Sequence, residues 1–261
     1  MGDIEQPQAH PAEDTGHDPG VDAGRALRWC AGDMNRKLRL LVAISLVLFA
    51  TMSIVWTLLL PHSAVDPQNS LLVIADAGAT APIAVLTLAL SQLAFMIAFV
   101  GVAVWLHPAT PRLTSIGGAL AILGGFGHTV FCGVEMARHA LAADPTANLA
   151  AAGRLESYLP LMPFMMAGLI CTVVGLVLLG IAHLRSGTAP RWAGPVLIAF
   201  VLVEFVGGNF TEWAIYLSGL LLLGACTGLA ASVLHGAHPL PRCADRTPSD
   251  VTVGRGSPQH T

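Results

Sequence analysis

The chain has 261 residues, of which 54% are hydrophobic and only 11% are charged, and its formal net charge is −3. A mean hydropathy of +0.67 is too high for a soluble domain of this length, so the composition excludes an ordinary soluble protein. Six apolar stretches take up about half of the chain and leave no room for a separate soluble domain with its own core. We therefore expect a lipid bilayer around the protein and no nucleic acid partner.

Residues 1–38 are predicted to form a disordered cytoplasmic tail with a basic juxtamembrane end. The tail contains acidic residues, prolines and glycines but no basic residue before Arg25, which is a composition typical of disorder. The basic residues from Arg25 to Arg39 set the topology, and they can also contact anionic lipid headgroups. The first apolar stretch begins too late and is too long for a cleavable signal peptide, so we interpret it as an uncleaved anchor.

The central part of the chain, residues 39–235, is predicted to be an all-α, six-helix transmembrane bundle. Its apolar stretches are Leu40–Leu60, Pro82–Leu106, Leu113–Val134, Leu161–Ala182, Ala193–Gly208 and Trp213–Leu234. Because a helix rises about 1.5 Å per residue, roughly 17–25 residues cross a hydrocarbon core of about 30 Å. The stretch that starts at Ala193 reaches that length only if Trp192 or Asn209 is included. The run Leu71–Ala77 is too short to span and is predicted to lie at the interface.

Positive charge is sorted by position along the chain. Of the 13 lysines and arginines, all but Arg138 and Arg154 fall in segments that are cytoplasmic if the N-terminus is inside. Because positive residues resist translocation, this bias predicts that both termini lie in the cytoplasm. The C-terminal segment, residues 236–261, is then a second disordered cytoplasmic tail. Trp56 and Trp105 lie near stretch ends, where amphipathic rings favour the headgroup region.

The loop between the fourth and fifth stretches has a recognisable pattern. It reads His183-Leu184-Arg185-Ser186-Gly187-Thr188-Ala189-Pro190-Arg191-Trp192-Ala193-Gly194, with an arginine, then a glycine, then Pro-Arg-Trp-x-Gly. This run resembles an inner loop of uncharacterised multi-pass bacterial integral membrane proteins. The resemblance implies a bacterial plasma-membrane protein, and it implies no activity and no functional residue.

The third stretch carries one helix face of small and polar residues. The residues on this face are Gly117, Ala121, Gly124, His128, Cys132, Glu135 and His139. Small residues let a neighbouring helix approach closely, so we expect the face to be buried in protein, with its polar groups in the outer half. The alternative is structural. His128 would then bond one backbone or hydroxyl partner, and Glu135 would lie at an ordinary hydrated helix end.

Glu204 is the most costly residue in the sequence because it lies about 11 residues into the fifth stretch, at a depth of roughly 16 Å, which is near the midplane of a bilayer. A carboxylate inside a membrane costs several kcal/mol unless it is protonated, paired or hydrated, so it indicates a functional site. Gln92 in the second stretch reaches a depth close to that of His128. We predict that Glu204 points into the bundle and shares an outer-half polar cluster with His128 or Gln92. The alternative is a protonated, hydrogen-bonded structural glutamate.

The function predicted from the sequence is that of a non-catalytic membrane component that stabilises a membrane protein partner or forms a homo-oligomer. The alternative is a small-solute or proton-coupled carrier, or a receptor, with an outward-facing polar cavity around Glu204 and His128. An enzyme is the third possibility and is not expected, since no catalytic motif is present. No metal or cofactor is expected either, because copper and haem sites lack a convincing ligand set. A pocket that reaches Glu204 favours the carrier or receptor, whereas a packed interior favours the stabilising component.

Overall fold

The computed structural model describes residues 34–59, 67–211 and 213–235, and every regular element in these ranges is helical. The predicted tails at residues 1–38 and 236–261 lie almost wholly outside the described residues. The helices are α1 (Arg36–Leu59), α2 (Pro67–Asp76), α3 (Thr80–Leu106), α4 (Pro111–Leu141), α5 (Pro145–Glu156), α6 (Met162–Ser186), α7 (Ala193–Phe205) and α8 (Trp213–His235). Short 3-10 turns precede α6 at Leu159–Leu161 and follow α7 at Gly207–Asn209.

The long helices follow the apolar stretches of the sequence. Five of them are long and apolar enough to cross a membrane, namely α1, α3, α4, α8 and α6 with its preceding turn. The remaining apolar helix, α7, has 13 residues and would reach only about 20 Å at 1.5 Å per residue. The all-helical prediction is therefore confirmed as a bundle with five long apolar helices, and the sixth is short.

The six apolar helices form a closed ring in which each contacts two neighbours. Around the ring the order is α1, α3, α4, α6, α7, α8 and back to α1, and α3 also touches α6 and α8 across the middle. We call the half of the bundle that contains the C-terminal ends of α1, α4 and α7 the distal half, and the opposite half the proximal half. Chain order alone does not give this arrangement, because α1 packs against α8 at the other end of the sequence.

Helices α4 and α6 approach each other closely through glycines. A Cβ atom added to Gly127 would lie 2.3 Å from the Cα atom of Gly168, and one added to Gly175 would lie 2.9 Å from the Ala121 nitrogen. Side chains larger than hydrogen would push the two backbones apart at these points. The small-residue face of the third stretch is thus buried against a neighbouring helix, as its spacing predicts.

The proximal half is tightly packed. Trp105, Leu106, Leu229 and Val233 are all buried there, each at most 1% exposed. His183 is also buried and organises the loop that follows α6. Its Nε2 hydrogen-bonds the Pro190 carbonyl oxygen at 3.1 Å, so this nitrogen is the donor and Nδ1 accepts from the Thr188 hydroxyl at 3.1 Å. The two hydrogen bonds of the buried His183 side chain therefore fix the conformation of the Pro-Arg-Trp loop.

Two short helices cover part of the distal end. Helix α2 packs against α5, where Leu71, Ala142 and Ala152 form a small buried cluster. Helix α5 begins after Asp144, whose Oδ1 accepts a hydrogen bond from the Ala147 nitrogen at 3.0 Å. The run Leu71–Ala77, predicted to lie at the interface, belongs largely to α2, whereas α5 was not predicted. The third apolar stretch ends at Val134, but α4 continues to Leu141.

Candidate functional site

A cavity of about 610 Å³ occupies the distal half of the ring. Each of the six apolar helices contributes to its wall, because α1, α4 and α7 present their C-terminal parts and α3, α6 and α8 their N-terminal parts. The contrast with the packed proximal half means that the cavity is closed at one end by the core of the bundle.

Most of the wall is aliphatic or aromatic. Phe49 and Phe95 meet edge to face, with their ring centroids 5.1 Å apart, and both border the cavity. Phe200 and Tyr216 supply further rings on α7 and α8. The polar side chains among the lining residues are Ser53, Trp56, Thr57, Gln92, His128, Thr172, Glu204, Tyr216 and Ser218. A mainly apolar wall with a few polar groups is the usual composition of a small-molecule site.

Glu204 lies on the cavity wall near the end of α7 and is half-buried. Its Oε2 accepts a hydrogen bond from the hydroxyl of Ser218, which is 1% exposed on the facing helix α8. The same hydroxyl lies 2.8 Å from the Ile215 carbonyl oxygen. Because a hydroxyl has one hydrogen, it can serve the carboxylate, or it can accept from a protonated Glu204 while donating to Ile215. Ser218 can therefore form a hydrogen bond with Glu204 whether the carboxyl group is ionised or protonated.

His128 is half-buried on α4 with a fixed ring orientation. Its Nδ1 lies 2.9 Å from the Gly124 carbonyl oxygen and 3.3 Å from the Thr172 hydroxyl of α6. A carbonyl can only accept, so Nδ1 carries the hydrogen, and the neutral ring then has its lone pair on Nε2. Nε2 has no hydrogen-bond partner among the described residues, so it can accept a hydrogen bond from a molecule in the cavity.

Gln92 is buried on α3 and reaches the same cavity. Its amide nitrogen donates to the Ser91 hydroxyl at 3.1 Å, and that hydroxyl in turn donates to the Leu88 carbonyl oxygen at 2.7 Å. This chain of donors assigns the amide nitrogen and leaves the Gln92 oxygen as an acceptor.

The structure thus brings three of the four predicted site residues, Gln92, His128 and Glu204, to the wall of one cavity. No hydrogen bond joins any two of them within the described ranges, since each has a local partner of its own. Glu135 is in a different place. It is buried near the distal end of α4 and pairs with Arg138 at 2.9 Å, and Arg138 also donates to Ser70 on α2. Glu135 therefore helps attach α2 to the bundle and does not line the cavity.

The polar stripe on α1 and the hydroxyl groups that hydrogen-bond to the predicted residues were not predicted from the sequence. Ser53, Trp56 and Thr57 are spaced three and four residues apart, so one helix face carries all three to the cavity wall. The indole nitrogen of Trp56 is inaccessible to solvent and has no hydrogen-bond partner among the described residues. The spacing of these polar residues in the first stretch is a signal that could have identified this part of the wall. Ser218 gives no comparable signal, because its role depends on which helix faces α7.

Metal ligands do not cluster in the described part of the chain, where no three His, Cys, Asp or Glu side chains come together. In the comparisons with known proteins, no family model, no curated protein and no solved structure matched the chain. The fold and the site together therefore define the class of protein: an all-helical bundle with five helices fit to cross a membrane and a cavity in one half.

Proposed function

We propose that the protein is a multi-pass integral membrane protein that binds a small, largely apolar molecule in the distal cavity, as a receptor or carrier. The observation that carries the proposal is the cavity of about 610 Å³ with Glu204, His128 and Gln92 on its wall. Cavities of roughly 300–1,000 Å³ with apolar walls and a few polar groups are typical of small-molecule sites. A pocket that reaches Glu204 also favours this function over that of a purely stabilising component, which would have a packed interior throughout.

The contrast between the two halves supports access from one side. The α6 and α7 backbones meet closely in the proximal half, where a Cβ atom added to Gly194 would lie 2.6 Å from the Gly180 carbonyl oxygen. Such contacts leave no passage beside these glycines. A carrier would have to separate the proximal ends during its cycle, whereas a receptor would not, so transport by vesicles containing the purified protein distinguishes the two.

The membrane arrangement is part of the proposal. We propose that all six apolar helices cross, with both termini in the cytoplasm of a bacterial cell and the distal half facing outward. The support is the distribution of arginine and lysine along the sequence. Reporter fusions after Ser70, Thr110, Asn148, Thr188 and Asp245 should report outside, inside, outside, inside and inside, respectively. An odd number of crossings would contradict this arrangement.

Binding can be tested with 4-phenylbutan-1-ol, a neutral probe with an apolar body and one hydroxyl. A ligand that binds only the folded state raises the temperature of unfolding, so the probe should stabilise the purified full-length protein in detergent. Ser53→Trp should remove this shift, because Ser53 lines the cavity and the indole would fill it. Thr51→Trp is the matched control, since Thr51 is exposed on the same helix and does not line the cavity.

The control separates cavity binding from effects of the probe on the micelle, which both variants share. Equal shifts in the Ser53→Trp and Thr51→Trp proteins, or no shift in the unaltered protein, would contradict the binding function.

A further inference from the structure

We infer that the molecule bound in the cavity is an organic cation, an amine with an apolar body whose ammonium group pairs with Glu204. This inference rests on the proposed binding function and adds the charge of the ligand. It follows from three properties of the wall: its charge, its hydrogen-bonding groups and its aromatic rings.

The first property is a carboxyl group that has no positively charged partner on the cavity wall. Within the described residues, Glu204 is the only acidic side chain on the wall, and no lysine or arginine lines it. Ser218 satisfies Oε2, whereas Oε1 has no hydrogen-bond partner in the described part of the chain. An ionised carboxylate in a low-dielectric site is costly without a positive partner. A cationic ligand would supply that partner, and an anionic ligand would add a second negative charge.

The second property is an excess of hydrogen-bond acceptors. The cavity wall offers Oε1 of Glu204, Nε2 of neutral His128 and the amide oxygen of Gln92, each on a side chain whose other polar atom already has a partner. An ammonium group has N–H donors and no acceptor, so it complements such a wall. A carboxylate ligand has only acceptors and would leave these groups without partners.

The third property is the position of the aromatic rings relative to the carboxylate. Phe200 lies one helical turn before Glu204 on α7, and both line the cavity. Tyr216 precedes Ser218 by two residues on α8 and also lines the cavity. The faces of aromatic rings attract cations by about 0.5–2 kcal/mol, and they pack equally well against the apolar body of an amine. Carboxylate and rings together therefore select a cation with an apolar body.

The test compares three probes that share one phenylbutyl body, namely 4-phenylbutylamine, 4-phenylbutan-1-ol and 4-phenylbutyrate. Affinities are measured from the ligand dependence of thermal unfolding of the full-length protein in detergent. The amine should bind about tenfold more tightly than the alcohol, and the carboxylate more weakly than both. Glu204→Gln should remove the preference for the amine while retaining binding of the alcohol, because glutamine keeps the shape and loses the charge.

Glu135→Gln is the matched control, because it makes the same chemical change at a buried glutamate that does not line the cavity. It should retain the tenfold preference. If Glu204→Gln does not fold, the order amine, alcohol, carboxylate in the unaltered protein decides. Alcohol binding without a preference for the amine, or a preference that persists in Glu204→Gln, would overturn this inference and leave the proposed function standing. If none of the three probes binds, the proposed function itself is wrong.

Discussion

The pair of Glu204 and Ser218 shows how a carboxyl group is accommodated among apolar helices. The hydroxyl comes from the helix that faces α7, and the short 3-10 turn at Gly207–Asn209 connects the two helices. His128 and Gln92 have separate local partners, Gly124 with Thr172 and Ser91 respectively. On the cavity wall, each of these polar side chains therefore has its own hydrogen-bond partner, and the three do not form one hydrogen-bonded network.

This separation predicts which double mutants couple. Glu204→Gln and Ser218→Ala should be non-additive in the free energy of unfolding, with a coupling of about 0.5–3 kcal/mol, because the two side chains share a hydrogen bond. Glu204→Gln and His128→Gln should add to within about 0.5 kcal/mol, because no hydrogen bond joins the two side chains and each has a partner of its own. Unfolding of the purified variants in mixed micelles measures both cycles. A coupling for the histidine pair as large as that for the serine pair would contradict the assignment of separate partners.

The sequence shows which polar residues lie in apolar stretches and how deep they lie, but it does not show which helices are adjacent. An ionisable residue in an apolar stretch is visible directly, which is how Glu204 and His128 were identified. Depth along a helix indicated that Gln92 lies at a level close to that of His128, but not which side of its helix faces the other two. The role of Ser218 was not predictable, because it depends on which helices are adjacent. Glu135 was assigned to the same cluster from its helix face, but the continuation of α4 to Leu141 carries it beyond the cavity to Arg138.

At the scale of the elements, helix length followed from apolar length, and packing followed from the positions of glycine. The spacing of Gly117, Ala121 and Gly124 predicted a buried helix face, and this face does meet α6. The order of helices around the ring was not predictable, because a helical period gives the direction of a face and not the identity of its neighbour. Helix α5 was not predicted because the segment is too short and not apolar enough to be distinguished between two long apolar stretches.

Two glycines of α4 should respond in opposite directions to the same substitution. Gly127→Ala places a methyl group against the Gly168 backbone, and overpacking of this kind typically costs about 1–3 kcal/mol. Gly133→Ala meets nothing within 4 Å, so it should stabilise the helix by about 0.5–1 kcal/mol through the lower backbone entropy of alanine. Thermal unfolding in detergent measures both. Destabilisation of the two variants to the same extent would show that α4 and α6 do not pack through this contact.

At the scale of the whole molecule, the ring has a packed proximal half and an open distal half. The proximal half holds most of the large buried side chains, such as Trp105 and Leu229, together with the anchored loop around His183. The distal half is less closely packed and contains the cavity. A bundle built in this way is closely packed at one end and has a cavity at the other, which is the arrangement expected if the proposed ligand enters from one side only.

The most direct test of this account is the accessibility of the cavity from outside a cell. Ser53→Cys, made in a protein whose own cysteines are replaced by serine or alanine, places a thiol on the cavity wall. A membrane-impermeant, cationic methanethiosulfonate reagent added to intact cells should modify it, and 4-phenylbutylamine should slow the reaction. Ser232→Cys is the control and should stay unmodified, because Ser232 is fully buried in the proximal half. An unreactive Ser53→Cys on intact cells, or equal reactivity of the two thiols, would contradict an outward-facing cavity.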